Sequence, residues 1–136
     1  MSAHVAVDIG ASSGRVIVAE YEDNHFEVSE VHRFKNGFQQ VDSHDRWNID
    51  DLFQNILIGL AKVKERGIEV CTLGIDTWAV DYVLVKDGEK LGHPIAYRDS
   101  RTQKGVENVF EKITKEDLYS KTGIQFLPFN TVFQYA

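Results

Sequence analysis

Residues 5–19 read VAVDIGASSGRVIVA, two apolar runs separated by glycine, alanine and serine. Residues 5–9 and 16–19 have the length and apolar content of buried strands, and residues 10–14 have the composition of a turn. This stretch therefore predicts a β-hairpin. Residues 26–31 alternate apolar and polar side chains, which is typical of a half-buried strand. We expect the chain to begin with a three-stranded meander.

A helix is predicted next, after a polar segment at residues 38–46 whose pattern assigns no element. Apolar residues recur at helical spacing from Ile49 to Val63. Asn48 suits the N-cap of this helix, and Gly67 follows its basic end, where a helix commonly stops. The order so far is three strands followed by a helix.

The rest of the chain predicts further strands and three helices. Residues 70–75 and 80–85 have the composition of short buried strands, and an extended stretch is expected around residues 91–97. The helices are marked by Val106, Val109, Phe110 and Ile113, by a capping box of Thr114 and Asp117 with an end at Gly123, and by Asn130 as the cap of a helix from Thr131.

The composition excludes some classes of function. The chain has 136 residues, with 15 Lys and Arg against 21 Asp and Glu, which gives a net charge of −6. Such a charge disfavours nucleic acid and anionic membranes as partners. The lone cysteine, Cys71, lies in an apolar run and is interpreted as a buried thiol. Without a signal-peptide pattern or an apolar stretch of about 20 residues, the sequence predicts a cytoplasmic protein.

The hairpin turn is the first candidate site. Asp8 ends the first apolar run, and Ser12 and Ser13 lie in the glycine-flanked turn that follows, before Arg15. Backbone N–H groups and hydroxyls of such a turn can converge on a phosphate, and Asp8 could hold Mg²⁺ through water. Arg15 could neutralise phosphate charge or lock the hairpin. An ordinary Gly/Ser hairpin with an aspartate at its mouth explains the same residues.

Two further clusters carry polar groups at the ends of predicted strands. Residues 74–82 contain Asp76, Trp78 and Asp81, which suit a ligand crevice at a strand end, although a core Trp78 and a turn-capping Asp81 fit equally. In residues 97–102, two arginines flank Asp99 and could form an ion-pair lattice with it or donate to hydroxyls and phosphate. Asp99 or Ser100 as an N-cap, with surface arginines, is the simpler interpretation. No metal site is predicted from the histidines, since no ligand spacing connects His4, His25, His32, His44 and His93.

Together these segments resemble a known family. Residues 8–15, 74–82, 97–102 and 123–131 occur in the order seen in the FGGY carbohydrate kinases, and the resemblance runs from about residue 5 to the end. It implies an α/β, ribonuclease-H-like lobe of the actin/hexokinase ATPase type, with a mixed sheet, the order strand-strand-strand-helix-strand, and flanking helices. Residues 1–136 would be the N-terminal lobe, truncated within its last helix, with the second lobe absent.

The resemblance also implies an activity and its cofactors. The full-length protein would be an ATP-dependent kinase that phosphorylates L-rhamnulose to L-rhamnulose 1-phosphate, with L-fuculose or another ketose as the alternative substrate. Asp8 matches the acidic residue near Mg²⁺. The loop that binds the ATP phosphates is matched by Ala11, Ser12, Ser13, Gly14 and Arg15.

The sugar site is implied in the same way. Trp78 and Ala79 would line it, and Gln125 and Phe129 are pocket candidates by position. Ala79 stands where the family pattern has glycine, and the added methyl group could narrow the pocket and change the sugar that fits. The general base and the adenine pocket are expected after residue 136, in the protein's own C-terminal lobe, so the 136-residue chain alone is expected to be inactive.

Other classes of function remain open from the sequence. A ribonuclease-H-like nuclease would use Asp8 and Asp76 as metal ligands, but the charge of −6 argues against it. An exopolyphosphatase would share the first motif and leaves Trp78 unexplained. A non-catalytic sugar-binding lobe is the non-enzymatic alternative.

Overall fold

The computed structural model describes residues 2–136, which divide into two compact units. The first unit contains the described residues up to Gly37 together with residues 48–79. The second contains Phe38–Trp47 and Val80–Ala136. The elements in chain order are β1 (Ser2–Ile9), β2 (Ser13–Glu22), β3 (His25–Lys35), β4 (Phe38–Val41), β5 (His44–Trp47), α1 (Ile49–Glu65), β6 (Val70–Thr77), β7 (Val85–Lys86), β8 (Glu89–Lys90), α2 (Thr102–Phe110), α3 (Lys115–Thr122) and α4 (Thr131–Tyr135).

The first unit contains a four-stranded mixed sheet. β1 pairs with β2 and β2 with β3 in antiparallel fashion, which confirms the predicted meander. β1 also pairs with β6 in parallel, so the strand order is β3-β2-β1-β6. The α/β fold class with a mixed sheet is therefore confirmed.

Helix α1 covers one face of this sheet. Alternation buries every second residue of β1 and of β2 as far as Val18, and the apolar stripe of α1 packs onto the buried face. The approach is close, since a Cβ added at Gly59 would lie 2.3 Å from Val16. Asn48 caps the helix as predicted, accepting a hydrogen bond of 3.1 Å from the Asp51 amide. The cluster contains Ala3, Val5, Val7, Ile9, Val16, Val18, Phe34, Leu52, Ile56 and Val63.

The predicted burial of strand β6 is wrong. The strand forms at residues 70–77, but all eight of its residues are exposed, including Leu73 at 46% and Ile75 at 57%. The physical reason is that side chains of a strand are buried by a layer on the sheet face, and α1 packs on β2 and β3, whereas β6 lies at the other end of the sheet. Cys71 is accordingly an exposed free thiol and not a buried one.

The second unit contains two small hairpins. The polar segment at residues 38–46, whose pattern assigns no element, forms the β4–β5 hairpin together with Trp47. The strand predicted at residues 80–85 is wrong, because only β7 forms there and it pairs with β8 alone. Val80 has φ +70°, a left-handed conformation that no strand adopts. Ile95, in the segment predicted as extended, makes an isolated bridge to Arg46.

The helices of the second unit follow the predicted order with two corrections. The capping box is confirmed, since the Asp117 amide donates to Thr114 Oγ1 at 3.1 Å, and Gly123 ends α3 with φ +65°. Helix α2 ends at Phe110, so Ile113 lies outside it. Asn130 occupies the N-cap position of α4 as predicted, but its side chain makes no capping hydrogen bond and its amide donates instead to the Gln125 carbonyl at 2.9 Å. No helix in the described part of the chain has both the length and the apolar content to span a membrane.

Candidate functional site

The β1–β2 loop is held in shape by hydrogen bonds within the first unit. The Gly10 amide donates to the Ser13 carbonyl at 2.9 Å, which closes the turn. The Asn36 side chain donates to the Gly10 carbonyl at 2.7 Å, and the Asn36 amide donates to the Ser12 carbonyl at 3.0 Å. Asn36 therefore binds two carbonyls of the loop through its side chain and its backbone amide.

The open side of the loop carries unused donors. Within residues 2–136 the amides of Ala11 and Ser12 donate no hydrogen bond, and the hydroxyls of Ser12 and Ser13 have no partner. Ala11 and Ser12 are exposed. Successive backbone N–H groups beside hydroxyls form the kind of concave donor set that binds anions. The chemistry of these donors fits a phosphate group.

Asp8 and Arg15 form an ion pair beside the loop. They are register partners on β1 and β2, and the Arg15 guanidinium donates to Asp8 Oδ2. The row continues across the sheet, because Arg15 pairs in register with Arg33 and Asp8 with Asp76. The row across the sheet is therefore Arg33, Arg15, Asp8 and Asp76, in which the two cations and the two carboxylates meet between β2 and β1.

Gly14 is needed for packing. A Cβ at this position would lie 2.1 Å from the Phe34 ring, far inside van der Waals contact. Phe34 is itself part of the buried cluster. The glycine therefore lets Phe34 close the core directly beneath the loop.

Trp78 and Ala79 lie at the same sheet edge as the loop. The parallel register pairs Ile9 with Thr77, so β1 and β6 end at the same level. Side chains that follow parallel strands meet at this carboxyl edge, where open α/β sheets bind ligands. Trp78 is half-buried against the hydrophobic cluster, and Ala79 is exposed.

Backbone strain follows immediately at Val80. A β-branched residue with φ +70° is a conformational outlier that costs about 1–3 kcal/mol. The conformation is held by two bonds to the Val80 carbonyl, from Thr131 Oγ1 at 2.8 Å and Gln134 Nε2 at 3.0 Å. Asp81, next in the chain, accepts from the Trp47 indole at 2.7 Å. Such strain clusters at functional sites.

Asp99 is a buried anchor of the second unit and not the predicted N-cap of α2. It is 3% exposed and accepts from the amides of Asp45 (2.8 Å) and Arg101 (2.9 Å), with His44 Nδ1 at 3.2 Å. The helix begins later, at Thr102, with no side-chain cap. Burial opposes the charged form, but the amides of Arg101 and Asp45 together with His44 lower the pKa of Asp99 below its ordinary value.

Tyr97 and Phe129 come together in this unit, whereas Gln125 lies elsewhere on it. The rings of Tyr97 and Phe129 are 5.5 Å apart, and the Arg98 guanidinium lies 5.4 Å from the Tyr97 centroid. Gln125 is exposed and lines an apolar cavity of about 780 Å³, whose lining does not include Phe129. The two pocket candidates thus do not share this cavity.

Sequence reasoning missed the residues that act through long-range contacts. Nothing local in the sequence links Asn36 to Gly10, 26 positions earlier. Asp99 was assigned to a local cap, although its partners His44 and Asp45 lie more than 50 positions away. Among residues 2–136 no group of three or more His, Cys, Asp or Glu side chains is arranged to hold a metal ion.

Comparison with known proteins identifies related chains. A model of the N-terminal domain of the FGGY family of carbohydrate kinases matches residues 3–135. The chain is 57% identical over 135 residues to a rhamnulokinase of Ligilactobacillus salivarius, covering 98% of this chain and 28% of the relative. It is 51% identical over 132 residues to a rhamnulokinase of Bacillus subtilis, covering 96% and 27%.

Solved structures share the fold. A ligand-bound xylulose kinase from Lactobacillus acidophilus has a TM-score of 0.73 at 15% identity, covering 98% of this chain and 27% of that one. A Plasmodium falciparum glycerol kinase with ADP has a TM-score of 0.73 at 19% identity, covering 98% and 28%. The chain thus spans little more than a quarter of the length of the proteins that it matches.

Proposed function

This chain belongs to the FGGY family of carbohydrate kinases, and we propose that it is the N-terminal lobe of a longer ATP-dependent kinase that phosphorylates L-rhamnulose to L-rhamnulose 1-phosphate. The observation that carries the proposal is the identity of 57% and 51% to two rhamnulokinases over nearly the whole chain. L-Fuculose or another ketose is the alternative substrate. A ribonuclease-H-like nuclease is not favoured, because the family is one of kinases.

The β1–β2 loop is the proposed site for the ATP phosphates. Unused amides of Ala11 and Ser12 and the hydroxyls of Ser12 and Ser13 suit phosphate oxygens. Gly14 leaves room for the Phe34 ring beneath the loop, and Arg15 places a guanidinium beside the loop. Asp8 offers the hard oxygen ligand that Mg²⁺ prefers, and one carboxylate is enough where water and phosphate supply the remaining ligands. When bound, Mg²⁺ neutralises phosphate charge during transfer.

The sugar site is proposed at the end of β6. Trp78 offers an apolar ring for one face of the ketose, and Ala79 is exposed beside it. Val80, next in the chain, has a strained backbone whose carbonyl accepts hydrogen bonds from α4, and such strain clusters at functional sites. Phe129 and Gln125 remain candidates for the sugar pocket. Phe129 contacts the Tyr97 ring, whereas Gln125 lines the apolar cavity, whose lining does not include Phe129.

The proposed partner of this lobe is the remainder of the longer polypeptide. Strand β6 presents an unpaired edge within the described residues together with exposed Leu73 and Ile75, and such an edge is normally paired or covered. We also place the protein in the cytoplasm, because ATP is made available there and an exposed thiol at Cys71 suits a reducing compartment. No nucleic acid or membrane partner is proposed.

The first test is a substrate assay on the native gene product. It should release ADP on addition of L-rhamnulose, with a lower kcat/KM for L-fuculose and no release without a ketose. The 136-residue chain assayed in parallel should give no sugar-dependent ADP, since phosphoryl transfer needs both sides of the reaction positioned. ADP release by the short chain would contradict the assignment of essential groups to the rest of the protein.

Paired variants separate the two subsites in the native product. Ala79→Val adds bulk beside Trp78 and should raise KM for the ketose at least tenfold while KM for ATP changes less than twofold. Ser12→Ala removes a hydroxyl that donates a hydrogen bond to the phosphates. It should raise KM for ATP at least tenfold while KM for the ketose changes less than twofold. If both variants changed KM for the ketose and KM for ATP equally, Ala79 and Ser12 would not belong to separate sugar and phosphate subsites.

A further inference from the structure

A small cavity within the second unit has two arginines in a wall that is otherwise largely apolar, with Leu84, Leu91, Pro94 and Ile95 among its residues. Its volume is about 220 Å³, and Arg46, Arg101, Tyr82 and His93 contribute to its wall. No Asp or Glu is among the lining residues in the described part of the chain. Two guanidinium groups beside one cavity create a positive potential that favours an anion.

Arg46 is the cation that the surrounding chain leaves unbalanced. Its Nη1 donates to the His93 carbonyl at 2.7 Å. Its Nε–H is buried without a hydrogen-bond partner, and no carboxylate of residues 2–136 lies within ion-pair distance of it. A half-buried guanidinium is normally paired, and an unsatisfied buried donor is a reason to look for a missing ion.

By comparison, the Arg101 side chain is held by hydrogen bonds, and its charge is partly balanced by Asp99. Both of its Nη atoms donate to Gln134, and its Nε lies 4.0 Å from Asp99 Oδ1. The Tyr82 ring stacks under it at 5.9 Å. The Nε–H of Arg101 also lacks a hydrogen-bond partner, but both of its Nη groups are used, whereas among the described contacts Arg46 keeps Nη2 for a ligand.

We propose that this cavity binds a small phosphate oxyanion, free or as the phosphoryl group of a small metabolite, through Arg46. A guanidinium can bind such an oxyanion with two N–H groups, and among the described contacts Arg46 uses only Nη1, for the His93 carbonyl. The volume lies below the roughly 300–1,000 Å³ of pockets for drug-sized ligands, which excludes a nucleotide. The proposal is separate from the kinase site, since none of its residues is assigned to ATP or sugar there.

Calorimetry on the native gene product tests the proposal. Inorganic phosphate is titrated with saturating ADP present, so that the β1–β2 loop is not its target. Binding is expected, and Arg46→Gln should weaken it at least tenfold, whereas the matched variant Arg98→Gln, at an exposed arginine, should leave it unchanged. Methyl phosphate in place of phosphate identifies a phosphoryl group as an accepted source.

Other results would overturn it. Phosphate affinity equal in Arg46→Gln and Arg98→Gln, or acetate and chloride binding as well as phosphate, contradicts a phosphate site at Arg46. Should Arg46→Gln fail to fold, a wild-type crystal soaked in selenate decides: a tetrahedral anion with an anomalous signal within hydrogen-bond distance of Arg46 supports the site, and an empty cavity there removes it.

Discussion

The two units bury different kinds of side chain. In the first, ten hydrophobic residues form one cluster between the sheet and α1. In the second, the buried hydrophobic residues among those described are Trp47, Ala96 and Phe133, and the buried polar residues of the described chain, Asp99, Thr102 and Gln134, all lie there. Apolar packing is non-directional, whereas a buried polar network depends on each donor and acceptor.

Gln134 shows how the second unit is specified. Its side-chain amide donates to the carbonyls of Val80 and Phe129, and its Oε1 accepts from Arg101. Its backbone carbonyl accepts from the Tyr82 hydroxyl. Because each group has a partner, this unit should be more sensitive than the first to the loss of a single polar atom.

The largest effect is expected from Gly105→Ala, at the contact of α2 with α4. The added Cβ would lie 1.8 Å from the Phe133 carbonyl, so backbone must move and stability should fall by about 3 kcal/mol. Helix propensity alone predicts the opposite, a gain of about 1 kcal/mol. Urea unfolding measures whether the free energy of unfolding falls or rises in the variant. Gly74→Ala, with open space around its Cβ, is the matched control, and equal stability of the two variants would refute the tight contact.

Asp99→Asn should break the polar network of the second unit. The amide keeps one acceptor but brings donors toward the Asp45 and Arg101 amides, and the expected loss is about 2 kcal/mol. Urea unfolding again provides the measurement, with the exposed Asp87→Asn as control. A loss no greater than that of the control would show that the charge of Asp99 is not needed.

On acidification, the second unit should unfold at a higher pH than the first. The folded pKa of Asp99 is depressed, so its stabilising contribution is present above the ordinary aspartate pKa of about 3.9 and is lost as pH falls through the folded value. Each unit contains one tryptophan, Trp47 in the second and Trp78 in the first. With Trp78→Phe, emission of Trp47 should change at a higher pH than emission of Trp78 in the Trp47→Phe chain. Coincident transitions would contradict this order.

Gly14→Ala tests the apolar packing of the first unit. Its Cβ would meet the ring of Phe34 at 2.1 Å, and overpacking of this kind should cost about 1–2 kcal/mol, less than a clash with backbone because the ring can shift. Thermal unfolding measures the loss. Relief by Phe34→Leu in the double variant is expected, and additive losses would exclude the proposed contact.

Asn48→Ala gives the smallest expected change. It removes the bond to the Asp51 amide at the start of α1 and should lower the free energy of unfolding by about 1 kcal/mol. Asn48→Asp retains an acceptor and should recover most of this loss in the same urea measurement. No difference between the two variants would deny Asn48 a capping role.

The same contrast explains what could be predicted from the sequence. Strands β1 to β3 and helix α1 follow from hydrophobic period, and the caps Asn48 and Thr114 follow from local spacing. The exposure of β6 did not, because composition describes what a strand prefers and not whether a partner is present. The Asp99 anchor depends on residues distant in sequence, and the Val80 turn on bonds to α4.

The candidate site divides along similar lines. The donors of the β1–β2 loop are local in sequence, so residues 10–13 could be singled out from composition. The bonds from Asn36 to the loop and the Arg46 cavity could not, since both join segments that only the fold brings together. The assignments of Trp78, Ala79, Gln125 and Phe129 to a sugar pocket stay predictions.

The parallel pairing of β1 with β6 also imposes a delay on folding during translation. The bond between His4 and Thr72 joins positions 68 residues apart, whereas β1 and β2 are neighbours along the chain. At about 5–20 residues per second, an emerging β1 waits roughly 3–14 s for its second neighbour. During that interval one edge of an already assembled hairpin is open to other nascent chains. Translation speed between codons 9 and 77 is thus a variable on which the yield of folded protein depends.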